Sequence, residues 1–91
     1  MTIDHLRRIA DRLDHAIERQ RDIMQAAREG RVLALAEATD FASLLCACQD
    51  HALAIEGGCQ AEVDLRAARA DVSDRIERAE LASARSARMA A

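Results

Sequence analysis

Cys46, Cys48, His51 and Cys59 are the residues of this chain whose types most directly suggest chemistry. Three thiols and an imidazole in one short stretch look at first like a soft-metal site. Helix geometry separates them. Cys46 and Cys48 are two positions apart, about 200° round a helix, and point to opposite sides. Cys48 and His51 share a side at i,i+3, and Cys59 would have to fold back across Gly57-Gly58. Zinc wants four ligands with CxxC-like spacing, so no metal site is expected. Cys46 and Cys48 read instead as small apolar residues of a crowded helix, and His51 as a solvated one. Asp11 and His15, at i,i+4, have the spacing of a base and its orienting carboxylate, but no Ser or Cys nucleophile falls beside them. They read as an exposed pair. The other carboxylates are scattered over polar faces, and there is no Gly-rich phosphate loop, HExxH, GxSxG or EF-hand loop. No catalytic residue and no cofactor is expected, and hence no enzyme.

The elements that must position these residues are helical. Among 91 residues there is no proline, one aromatic ring (Phe41), no lysine among 13 basic residues, and 21 alanines. One domain, residues 1–91, is the most this length supports. A β-sandwich or barrel needs β-branched and aromatic residues with frequent turn signals, which are missing. The apolar fraction, 51%, is too high for disorder. With one Phe and a net charge of −3, nucleic-acid binding by stacking is not expected. The Arg-only basic set looks like a GC-rich coding bias. Residues 1–30 carry six Arg and six acids and no apolar run that could serve as a signal-peptide core or membrane span. Together with the odd cysteine count, this leads to the expectation of a cytoplasmic protein without membrane insertion.

Two glycine signals divide the chain, Gly30 and Gly57-Gly58, and glycine past a periodic run marks a helix C-terminus. The expected architecture is therefore an all-α antiparallel bundle or coiled-coil hairpin of three helices, approximately 3–29, 31–56 and 59–85, the first two long. Ile3, Leu6, Ala10, Leu13, Ile17, Gln20, Met24 and Ala27 step by threes and fours through the first segment, widened by Ile9, Ala16 and Ile23. At about 1.5 Å per residue it is roughly 40 Å long, right for an elongated hairpin. The second segment is apolar over most of its girth and reads as a central helix. Thr39-Asp40 stands in it as a candidate cap for a break. The third carries a thinner stripe, Leu65, Ala68, Val72, Ile76 and Ala79, and the tail 82–91 has little to bury and is expected to fray.

Three helices cover a central helix of this kind only in part. The exposed remainder fits a partner's amphipathic helix or a second copy of the chain, with a bundle closed on itself as the plain alternative. The run from Ile23-Met24-Gln25 through Arg28-Glu29-Gly30-Arg31-Val32-Leu33-Ala34-Leu35 to Phe41 and Leu44-Leu45 resembles the FlgN-type flagellar export chaperones. The likeness covers residues 15–48. Arg31 stands where that family usually has an acidic residue, and Phe41 near a common basic one. The resemblance implies a small cytoplasmic chaperone of type III export. Such a protein holds the C-terminal amphipathic helix of a late flagellar substrate, such as a hook–filament junction protein, and keeps it soluble. In that family the third helix and tail tend to carry the substrate, which maps onto Leu65, Val72, Ile76, Leu81 and Met89. The alternative expectation is a self-associating structural bundle, a homodimer with no chaperone role.

Overall fold

In the computed structural model, which describes residues 1–90, the chain is a rod of 77 × 15 × 14 Å. It holds two helices, α1 (Ile3–Glu37) and α2 (Phe41–Ala90). Across the three-residue connection, Ala38-Thr39-Asp40, the chain reverses and α2 returns antiparallel along α1. Ion pairs across the seam fix the register: Arg21 with Glu62, Asp14 with Arg69, and Arg7 with Glu80.

Three helices are expected from the sequence, and the described residues form two. The segments 31–56 and 59–85 are not separate: Gly57 and Gly58 lie inside α2, as Gly30 lies inside α1. No glycine among the described residues has a positive φ, so none serves as a left-handed helix terminator. A glycine inside a helix costs only about 1 kcal/mol relative to alanine. Ala, Leu, Glu and Arg flank these positions and the chain has no proline, so the helix runs through them.

The break falls where side chains can satisfy the orphan backbone groups. Asp40 Oδ1 accepts the Ser43 N–H at 2.7 Å, while Ser43 Oγ accepts the N–H groups of Thr39 and Asp40 at 3.2 Å. This is a reciprocal capping box with serine in the place usual for Glu or Gln. The first helical bond of α2 runs from the Leu44 N–H to the Asp40 carbonyl. At the other end of the rod, Thr2 Oγ1 accepts the His5 N–H at 3.2 Å, with Asp4 in the first turn of α1.

The Ser43 backbone N–H, and after it the Ser43 hydroxyl, holds the Asp40 carboxyl below its ordinary value. The sign follows. A carboxylate lowered in the folded state adds stability above its unfolded value, and that stability is lost as pH falls through the folded one. Acidification below the ordinary carboxylate range is therefore expected to lower the melting temperature. Asp40→Asn, which keeps the acceptor but cannot titrate, should flatten that part of the curve. Identical curves for the two proteins would show that the cap does not titrate with folding.

The packed seam is thin. Leu6, Ala10 and Met24 of α1 and Ala47 and Val72 of α2 are its buried side chains. Leu13, Ile17, Leu65 and Ile76 are half-buried beside them. At Gly58 the side chains of α1 reach the backbone of α2: a Cβ there would overlap the Met24 sulfur, and Gln20 Nε2 donates to the Gly58 carbonyl at 3.1 Å. α2 is 50 residues against 35 for α1, and its last turns, Leu81 to Ala90, are exposed throughout.

Candidate docking face

The residues singled out for chemistry do not converge. Cys46 and Cys48 leave α2 in opposite directions, and Cys59 lies eleven positions beyond Cys48, roughly 16 Å along the helix. His51 turns into the seam rather than toward a thiol, with Nδ1 3.4 Å from the Ala47 carbonyl and its ring beside Gly30. Among the described residues no group of three or more His, Cys, Asp or Glu is near enough to hold a metal ion. Asp11 and His15 are both exposed.

Charged residues instead clasp the middle of the rod. Glu62 meets Arg66 at 2.9 Å and Arg21 at 3.7 Å, and Asp14 meets Arg69 at 2.8 Å. The Arg66 hydrogen bond, with the charges of Arg66 and Arg21, holds the Glu62 carboxyl below its ordinary value. Such half-exposed pairs add little stability, but they fix which residues of α1 and α2 stand level.

Of the residues expected to carry a partner, Val72 is buried against α1 and Leu65 and Ile76 are half-buried in the same seam. Leu81 and Met89 are exposed on the free end of α2, at 51% and 89%. The five are thus divided between the hairpin's own packing and its overhanging tip.

The bare apolar surface lies at the other end, toward the connection. Phe41, Leu45, Cys48, Ala52, Ile55, Cys59 and Val63 follow each other in α2 at steps of four and three, which is one stripe of a helix. This stripe sits about a third of a turn round from the seam residues Ala47, Gly58 and Val72. Phe41 (77%), Leu45, Cys59 and Val63 (60%) are exposed, while Cys48, Ala52 and Ile55 are half-buried. α1 adds Val32 and Leu35, which line a shallow groove together with Ile55, Arg28 and Arg31. The upper half of one side of the rod is therefore mostly apolar and only partly covered, with Arg28 and Arg31 at its margin and the clasp below it. Its spacing could have been read directly: the four-three alternation passes unbroken through Gly57-Gly58, which also signals that the helix continues there.

An antiparallel two-helix hairpin with one open apolar side is the class of protein that fold and face define. No family model, no curated protein and no solved structure matches the chain. Among the described residues no helix is long and apolar enough to cross a membrane.

Proposed function

We propose that this chain is a helix-docking protein, a half-bundle completed by helices from outside the hairpin. The observation that supports this most is the stripe from Phe41 to Val63 with Val32 and Leu35 beside it. A soluble-surface helix carries polar residues in such places, whereas a bundle helix carries apolar ones. The chaperone reading is the specific form of the proposal: the docked helix belongs to a flagellar type III export substrate, held in the cytoplasm until it is handed on. Its support is the resemblance of residues 15–48. In that form the substrate uses the connection-end face, because Leu65, Val72 and Ile76 already pack against α1.

The three thiols report on this face without added labels. Cys59 lies on the stripe and Cys46 on the far side of α2, and both are exposed in the hairpin alone. Iodoacetamide labelling in intact cells that express the chain is expected to modify Cys46 faster than Cys59. Phe41→Asp with Leu45→Asp should remove the difference. Equal labelling of both thiols in the unaltered chain would mean that nothing docks there.

A further inference from the structure

We infer that the helix docking on this face is α2 of a second copy of the same chain, running antiparallel, so that Ala52 meets its own counterpart on a twofold axis. This rests on the docking reading above, and it names a second copy, in place of an export substrate, as the occupant of the face.

The first ground is self-complementarity. An isologous interface requires that whatever residue i meets, its partner's copy meets in return. Reversing the stripe about Ala52 sets Phe41 against Val63 of the second copy, Leu45 against Cys59, and Cys48 against Ile55. Leu45 and Ile55 each meet a small thiol, the largest residue meets Val63, and Ala52 meets alanine. Large side chains opposite small ones is the alternation that lets two helices interdigitate at normal packing density. Ala52 meets Ala52 in a parallel pair too, but that pair also sets Phe41 on Phe41 and Leu45 on Leu45, which crowds those levels while Cys48 on Cys48 and Cys59 on Cys59 leave others underfilled.

The second ground is area. The hairpin exposes 6920 Å². A compact monomer of 10.0 kDa exposes about 5,200 Å². The excess, about 1,700 Å², is spread along the whole rod, the exposed end of α2 included, and leaves room for the roughly 800 Å² that each partner contributes to a standard interface. In the antiparallel arrangement the connection halves overlap as a short four-helix bundle. The free ends then point away in opposite directions, and the Glu62–Arg66 pairs stand at the two edges of the overlap.

Two measurements test this. Sedimentation equilibrium of the reduced protein should return twice 10.0 kDa. Phe41→Asp with Leu45→Asp should weaken the dimer roughly thirtyfold or more while the far-ultraviolet spectrum stays helical. The register is read by a cross-link. In a Cys46→Ser, Cys59→Ser background, Ile55→Cys places a thiol opposite Cys48 of the second copy. Oxidised glutathione, as acceptor of the two electrons and two protons, should then join the chains through position 55 and Cys48. The same protein with Cys48→Ser as well should remain uncrosslinked, because the two introduced thiols stand several residues apart. A monomer at every concentration, or equal cross-linking without Cys48, overturns the inference. If the purified protein is monomeric while Cys59 is protected in cells, another helix occupies the face and the docking reading stands. If neither is seen, both fail.

Discussion

Gly58→Ala is expected to lower the melting temperature, whereas Gly57→Ala, one residue earlier in the same helix, is expected to raise it. Alanine gains about 1 kcal/mol of helix propensity over glycine at either position. At Gly57 nothing lies within contact distance of the added methyl, so the gain is kept. At Gly58 the methyl lands on the Met24 sulfur, and Met24, at 3% exposure, is among the most buried side chains in the seam. Met24 must leave its place or the helices must part, and the hydrogen bond from Gln20 to the Gly58 carbonyl goes with the close approach. Overpacking of this kind costs about 1–3 kcal/mol, more than the propensity gain. A net loss of about 1 kcal/mol shifts the midpoint by roughly 4–8 °C in a chain of this size. The decisive comparison is the double variant. Met24→Ala alone should cost about 2–5 kcal/mol, and the added methyl at position 58 should then stabilise rather than destabilise. Additive effects in that cycle, at one fixed protein concentration, would show that Gly58 does not set the helix spacing.

Gly58 also shows why one part of the fold was legible and another was not. The all-helical class and the long first helix follow from residues that can be read one by one: no proline, and an apolar step of three or four from Ile3 to Ala27. The number of helices does not, because glycine has two meanings. It ends a helix where the chain needs a left-handed turn, and it sits inside one where two backbones come close. Only the neighbour across the seam distinguishes them, and Met24 is 34 positions away. The true break was encoded in short polar side chains, Asp40 and Ser43, which outweigh glycine because they satisfy donors that glycine leaves open. The docking face was legible in its spacing but was attributed elsewhere. With three helices, Leu65, Val72 and Ile76 were available to a partner. With two, α1 has no other surface to bury itself against, so it takes them.

Val72→Asp with Ile76→Asp is accordingly expected to unfold the hairpin, while Leu81→Asp with Met89→Asp leaves it folded. Val72 is buried and Ile76 half-buried, and among the described residues no polar side chain is buried in the seam, so a carboxylate there meets no partner. Losing one such side chain costs about 1.5–3 kcal/mol of transfer free energy, and desolvating a charge adds to it. Two on adjacent turns approach the whole stability of a domain, about 5–15 kcal/mol. Leu81 and Met89 are 51% and 89% exposed, and substitutions at such exposed positions stay within about 0.5 kcal/mol. Thermal melting by circular dichroism separates the two. The inner pair should lose the cooperative transition and much of its helical signal at 25 °C, and the outer pair should melt like the unaltered protein. A cooperative, unshifted melt for the inner pair would mean that α1 packs on some other face of α2. The connection-end stripe would then be the seam, and the groove carried by Leu65, Val72 and Ile76 would be free for a partner after all.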